Sequence, residues 1–393
     1  GGHCAAALFD ELMRRHNLPQ RLAEDGLTLD MAKLSNYILK IEAHYGDNPY
    51  HNRMHAADVM LGLHRFLAER TVEKGQAHSG TSSAVASADE VCVGIRQNLS
   101  PTFNGPGARF RSPSANSSPA LERRDSASFK SPSFMRWRRS GVTGSGSRGG
   151  GDEDSPPAPS PNGDGASSAS ADTSGGYCMS ALQIFAGLFA ALIHDFAHPG
   201  TTNAHEIKMD SPLALRYHDA SVLESHSLFM AFTTLLEPQY NFIAAWDRKM
   251  YMEFRALIVK LVLMTDLSKH FEFITVLNAA AEASLCADAP TPPDASLVLT
   301  VAIKGADLGH SLKPQALHYN WSLWVTEEFF LLGDTERKAG VPISTFCDRD
   351  KDTDLAKSQH GFLQFVCRPF YTAVQRVLPD VAAAANVERL DAN

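Results

Sequence analysis

The residues best equipped for chemistry stand side by side: His194 and Asp195, followed by His198-Pro199-Gly200. An apolar run from Ala181 to Ile193 leads into them, so an imidazole and a carboxylate emerge together from the end of a greasy segment. Leaving either buried without a partner is costly, and a metal ion is the most economical partner for both. His51 and His55 are four apart, which on one helix puts both rings on the same face. Asp307 closes a second apolar run, Leu297 to Ile303. A His-His-Asp-Asp set suits Zn, Mn or Mg better than a thiolate-seeking metal. In a sequence with 16 histidines each of these reads equally well alone as a satisfied core residue, and His64 and His218 are read that way. Taken together, the doublet, the upstream His and the downstream Asp point to a metal-dependent phosphohydrolase. His198, Glu224, His226, Thr265 and Asp266 offer groups for its outer sphere.

The elements that must hold these residues read as helices. Leu8, Leu12 and Met13, then Met31, Leu34, Ile38 and Ile41, recur at helical spacing. Asp47-Asn48-Pro49 breaks the pattern, so a new helix carrying His51 and His55 is expected to start near Tyr50. Segments 180–195, 221–236, 250–264, 270–284, 296–308, 318–332 and 355–378 repeat the periodicity, divided by breaks such as Ala289–Asp294 and Gly333–Pro342. No stretch alternates like a half-buried strand. The expected fold is all-α: a first part of a catalytic domain at 3–71, its remainder at 177–380, and a tail at 381–393. Between the two parts, residues 72–176 are rich in Ser, Gly, Pro and Ala with little apolar content, the composition of a disordered insertion. Arg123-Arg124-Asp125-Ser126 and Arg138-Arg139-Ser140 resemble basophilic kinase sites. Phe129 to Arg139 mixes aromatic and basic residues and reads either as plain linker or as an inducible amphipathic helix for calmodulin or an anionic membrane.

Composition narrows the class. Across 393 residues the hydrophobic content is 44%, enough for a large core, and the formal charge of −8 argues against a nucleic-acid binder. Six scattered cysteines without a C-x-x-C pair fit a reducing compartment, hence a cytoplasmic location. There is no signal peptide, and a start at Gly1-Gly2 suggests a fragment. The apolar segment Met179 to Ile193 falls short of the roughly 20 residues a membrane span needs, so no transmembrane segment is expected.

Several ordered strings resemble one family. They are Tyr-His-Asn-Arg-Met-His-Ala-Ala-Asp-Val (50–59), His-Asp-Phe-Ala-His-Pro-Gly-Thr-Thr-Asn (194–203), Ser-Val-Leu-Glu-Ser-His (221–226), Thr-Asp-Leu-Ser-Lys-His (265–270), Ala-Asp-Leu-Gly-His (306–310), Glu-Glu-Phe-Phe (327–330) and Lys-Ser-Gln-His-Gly-Phe (357–362). They cover nearly everything outside 72–176 and are similar to the catalytic domain of the class I cyclic nucleotide phosphodiesterases, a compact helical domain of the HD type. The resemblance implies a zinc-type site from His55, His194, Asp195 and Asp307, with Asp195 bridging to a second ion, Mg or Mn. That ion is otherwise held through waters contacted by His198, Glu224 and Thr265. His51 matches the general acid and Glu328 the carboxylate that orients it. The nucleotide pocket draws on Tyr50, His310, Val325, Gln359 and Phe362, with Gln359 facing the purine edge and Phe362 and Val325 on its two sides.

The implied activity is hydrolysis of cyclic AMP and cyclic GMP to 5'-monophosphates. His310 sits where cyclic-AMP-selective members usually carry Asn. With Thr201-Thr202-Asn203 and Ala339 to Arg349, it resembles the calcium/calmodulin-stimulated dual-specificity subgroup. That subgroup's N-terminal calmodulin-binding region finds no room ahead of the first helix, so calmodulin control is not expected. Ala197 departs from the pattern, standing where an acidic residue is common, and weaker affinity for the second ion is expected. The insertion is the other departure. Ser126 or Ser140 is the candidate target of a kinase. The rival readings are a different HD-type phosphohydrolase and an inactive cyclic nucleotide sensor.

Overall fold

The computed structural model describes residues 3–68, 179–286, 293–384 and 387–393, and these contain helices and turns with no strand. The expected insertion 72–176 lies outside the described residues, and with it Ser126, Ser140 and the segment 129–139. Helices α1 (Cys4–Arg15), α2 (Leu18–Glu24), α3 (Met31–Ala43) and α4 (Arg53–Ala68) form the first part. Then come α5 (Ala181–Ile193), α6 (Asn203–Lys208), α7 (Pro212–Tyr217), α8 (Val222–Leu235), α9 (Arg248–Leu263), α10 (His270–Cys286) and α11 (Ala295–Asp307). The last are α12 (Gln315–Ala339), α13 (Leu355–Phe362), α14 (Arg368–Val377) and α15 (Pro379–Ala384). The segments on the two sides of residues 69–178 pack into one unit.

Helix α5 is the axis of that unit. Ser180 and Gln183 form a capping box, Gln183 N donating to Ser180 Oγ at 3.2 Å and Ser180 N to Gln183 Oε1 at 3.0 Å. Almost every other side chain of α5 is buried, because neighbours cover it on all sides: α4, α9 and α11 pack against it. Phe185 stacks on Phe254 of α9 at 5.3 Å between centroids, and Phe189 stacks on Tyr37 of α3 at 5.5 Å. Aromatic pairs of this kind add to the area they bury, so α5 has one seat in the core. Among the described residues no helix is long and apolar enough to cross a membrane.

Helices α4 and α11 meet closely where Gly62 faces Ala306; a Cβ on Gly62 would lie 2.8 Å from that of Ala306. This approach sets the distance between His55 on α4 and Asp307 at the end of α11. Four expected boundaries moved. The helix of His55 starts at Arg53 rather than near Tyr50: Asn52 caps it, its Oδ1 accepting the Met54 N–H at 2.8 Å, and the Tyr50 and His51 amides ahead of it go to a carboxylate from α12. Helix α12 runs through the expected break at Gly333 and stops at Gly340, whose φ of 70° suits a left-handed helix end. The segment 355–378 is divided by a five-residue π turn, Leu363–Cys367, just before Pro369, which has no N–H to give to the helical ladder. The expected tail is partly core: Val381, Ala382 and Leu390 are buried, and Asn393 Nδ2 donates to the carbonyls of Ser311 and Lys313.

Candidate active site

The end of α5 is held in place from outside. Tyr45 Oη donates to the carbonyl of Leu192 at 2.7 Å, and the chain then turns tightly, with Phe196 N on Ile193 O at 3.0 Å and His198 N on Asp195 O at 3.1 Å. Ala197 takes the left-handed region of backbone space, with a φ of 62°. This turn lets His194, Asp195 and His198 face the same cleft.

His55, His194, Asp195 and Asp307 each bring one ligand atom to a common point, all within 4.8 Å of one another. His55 Nε2 lies 3.1 Å from Asp307 Oδ1 and 3.3 Å from Asp195 Oδ2; His194 Nε2 lies 3.0 Å from Asp195 Oδ2 and 3.2 Å from His55 Nε2. His194 Nδ1 is 2.9 Å from the carbonyl of Ala191, which accepts its proton and leaves the Nε2 lone pair aimed into the cluster. Burial opposes a charge on His55, but hydrogen bonds to Asp195 and Asp307 outweigh it and lift its pKa to about 9. Burial likewise opposes the carboxylate of Asp195, and His194 and His51 outweigh it, holding the acid well below its ordinary value. His194 is raised in the same way, Asp195 and Asp307 outweighing its burial, so two buried imidazoles sit in a field that calls for a cation, and the donor set fits a divalent metal ion.

A second group adjoins the first. His51, Asp195 and His198 also converge within 4.8 Å, and the His51 and His198 rings stack at 4.0 Å. His51 lies in the turn ahead of α4, not on it as expected. Its ring still comes to 5.8 Å from that of His55. Glu328 of α12 fixes it with both oxygens: Oε1 pairs with His51 Nδ1, while Oε2 accepts the backbone N–H of Tyr50 at 2.9 Å and of His51 at 3.0 Å. Burial would neutralise His51, yet Asp195 and Glu328 overcome it and raise its pKa. Burial alone would raise Glu328, but its hydrogen bond and charge contact with His51 pull it down to about 2. Burial, aided by the neighbouring His51, pushes His198 down to about 3; it is neutral and accepts the Gly200 N–H on Nδ1 at 3.1 Å.

Other expected residues are distributed less evenly. Glu224 is bonded to Asn203 Nδ2 at 3.0 Å rather than to the cluster. Its burial, reinforced by Asp266 and Asp195 against the Asn203 hydrogen bond, raises its carboxyl to about 7. Thr265 turns back on α9, donating to Val262 O at 2.8 Å. Asp266 accepts the Ser221 hydroxyl at 2.7 Å, and His226 lies beside Tyr217, away from the cluster. On the other flank, His310 is parallel to Phe362 at 5.5 Å and edge-on to Tyr50 at 6.2 Å. Gln359 Oε1 accepts the Ser322 hydroxyl at 3.0 Å. Val325 is half-buried one turn along α12 from Trp321 and Ser322. Three participants escaped the sequence reading. Asn48 Nδ2 ties His198 O to His51 O at 2.8 and 3.0 Å, Asn203 holds Glu224, and Trp321 packs on Tyr50 and His55. In the sequence Asn48 shows only as part of a helix breaker, and Asn203 only as part of a motif string.

Residues 168–387, more than half of the chain, match the 3'5'-cyclic nucleotide phosphodiesterase family. The chain belongs to this phosphodiesterase family. It is 35% identical over 206 residues to the dual specificity calcium/calmodulin-dependent 3',5'-cyclic nucleotide phosphodiesterase 1B of Rattus norvegicus, covering 52% of this chain and 36% of that protein. To phosphodiesterase 1C of Mus musculus it is 37% identical over 197 residues, covering 50% of this chain and 27% of that protein. The chain thus spans about a third of the length of the curated relatives it matches. The phosphodiesterase domain of the RhoPDE fusion protein from the choanoflagellate Salpingoeca rosetta aligns with all of this chain and 90% of its own, with a TM-score of 0.66 and 20% identity. That last likeness speaks for the phosphodiesterase fold, including its all-helical architecture.

Proposed function

We propose that this chain hydrolyses 3',5'-cyclic nucleotides to 5'-monophosphates, and that it accepts both cyclic AMP and cyclic GMP. The observation that carries the reading is the convergence of His55, His194, Asp195 and Asp307 on one point, with the His51–Glu328 pair beside it. His55, His194, Asp195 and Asp307 would hold a zinc ion, and Asp195 would share a second ion, magnesium or manganese, on the side of His198. When bound, the two ions supply a hydroxide at neutral pH and neutralise charge on the phosphoryl oxygens. His198, Glu224 and Thr265 would contact the waters of the second ion.

The chain's own groups manage the leaving oxygen. Glu328 engages Nδ1 of His51 and leaves Nε2 to donate a proton to the departing 3' oxygen. The same carboxylate uses its other oxygen to lock the backbone of Tyr50 and His51, so ring and turn are oriented together. Asn48 bridges the carbonyls of His51 and His198, which keeps the acid and the second-ion side in register. A complete ligand set weighs against an inactive sensor.

The nucleotide base would lie among Phe362, Val325 and Gln359, with Tyr50 and His310 lining the pocket. His310 is buried and pushed down to about 3 by that burial and by His318, so it presents a neutral ring. Ser322 Oγ lies 3.0 Å from Gln359 Oε1 and 2.8 Å from His318 O, and its single proton serves one of them at a time. This hydroxyl tolerates either orientation of the Gln359 amide, which suits both adenine and guanine. The similarity to dual-specificity relatives supports the same reading. A cytoplasmic location and phosphorylation of Ser126 or Ser140 belong to this proposal as readings of sequence alone. The test is catalytic efficiency on the two cyclic nucleotides: comparable values are expected, and a preference beyond about a hundredfold, or some 2.7 kcal/mol of discrimination, overturns dual specificity.

A further inference from the structure

His270 opens α10 with its ring 1% exposed. A buried imidazole is costly unless both nitrogens are used, and here only one is. His270 Nε2 lies 3.0 Å from the carbonyl of Val366, so Nε2 carries the proton and donates it; Nδ1 has no partner. An aliphatic side chain would pack more cheaply beside Phe370, whose ring lies 5.9 Å away. What the imidazole adds over such a side chain is the single bond it makes.

Val366 stands in the π turn Leu363–Cys367, where the ladder of a long helix changes register before Pro369. Pro369 gives no N–H to this stretch, and a side-chain donor on one of its carbonyls ties the turn from outside the helix. The same turn sets the angle between α14, which packs on α10, and α13, which carries Gln359 and Phe362. At its other end, the segment leading to His270 holds Thr265 and Asp266, and Asp266 joins Ser221 just ahead of the helix of Glu224. One hydrogen bond therefore links the side of the cleft near the second-ion groups to the helix that faces the base.

We infer that His270 is a positioning residue for the nucleotide pocket, acting through Val366 O and the π turn to seat Gln359 and Phe362. The inference rests on the cyclic nucleotide reading given above. His270→Leu keeps apolar bulk and removes the donor; His270→Gln returns an N–H at comparable reach. His270→Leu is expected to raise KM for cyclic AMP and cyclic GMP about tenfold, the size of effect when one part-buried hydrogen bond is lost, with kcat and bound metal unchanged. His270→Gln should recover most of that loss. In a Gln359→Ala, Phe362→Ala background, the leucine change should shift kcat/KM less than about twofold, because the groups it positions are gone. If His270→Leu does not fold, His270→Asn, whose amide falls short of Val366 O, carries the same expectation. An unchanged KM, a fall in kcat or metal content that accounts for the defect, or an equal effect in both backgrounds overturns this inference alone. Wild-type protein that turns over no cyclic nucleotide overturns the parent reading, and this one with it.

Discussion

Replacing Glu328 with Gln tests the proton-donor arrangement at its narrowest point. The carboxyl of Glu328 is held from 4.5 down to about 2, about 3 kcal/mol in favour of its charged form. His51 is the chief contributor against burial, through its ring and then its backbone N–H, with the neighbouring His198 behind it. Loss of the carboxylate charge should lower the His51 pKa, since Glu328 is one of the two groups that raise it. A glutamine oxygen can still accept the Tyr50 and His51 amides, but its NH₂ then faces Nδ1 and demands a lone pair there. The ring survives as a neutral Nε2–H tautomer, a weaker proton donor. A fall in kcat of about 10²-fold is expected, within the range for a general acid. The sign of the pH effect is also set. A proton donor works below its pKa, so the alkaline limb of the rate profile should move to lower pH in Glu328→Gln. A hundredfold loss with that limb unmoved, or retention of wild-type kcat, would refute the reasoning; thermal unfolding of the variant separates loss of fold from loss of proton.

Three further outcomes can be checked. Gly62→Ala would gain up to about 1 kcal/mol in an open helix, yet its Cβ would meet Ala306, so a net loss of about 1–3 kcal/mol is expected. Weaker metal retention should accompany it as α4 and α11 are pushed apart, and a rise in Tm contradicts the close approach. Ala197→Gly should relieve roughly 1 kcal/mol of left-handed strain, whereas Ala197→Asp tolerates the same backbone and restores an acceptor, lowering the magnesium concentration needed for half-maximal turnover; identical magnesium titrations would sink that idea. His16 and His64 face each other at 2.9 Å and are both pushed to about 4 by burial, aided by Arg21 and Arg15 at His16 and by His16, Arg15 and Arg65, against Glu11, at His64. Unfolded, each binds a proton near 6.5, so stability is complete above that pH and falls by about 3 kcal/mol for each histidine as pH drops from 6.5 toward 4. Urea midpoints of wild type and His16→Phe/His64→Leu should diverge over that window, and parallel curves would exclude the pair as the cause.

The helices that bury one face or all faces were legible because period and composition are local. The doublet His194-Asp195 was legible for the same reason: an apolar helix that ends in two ligand types has few other uses. What escaped notice depends on partners far along the chain. His51 was expected on a helix, but Glu328, 277 positions away, takes its amide and that of Tyr50 and keeps the turn open. Gly333 looked like a stop until packing carried α12 on to Gly340. Asn48 bridges its near neighbour's carbonyl to one 150 positions along the chain from itself, and no local pattern marks such a role.

The central claim is that the His-His-Asp-Asp cluster holds metal and that this metal-loaded site, with His51, cleaves cyclic nucleotides. The direct measurement is turnover of cyclic AMP, cyclic GMP and a linear dinucleotide by metal-analysed wild-type protein in magnesium or manganese, beside Asp195→Ala and His51→Ala. The account predicts cyclic nucleotide hydrolysis by wild type, loss of both metal and turnover in Asp195→Ala, and loss of turnover with metal retained in His51→Ala. Wild-type turnover in either variant, or activity confined to the linear dinucleotide, would contradict it.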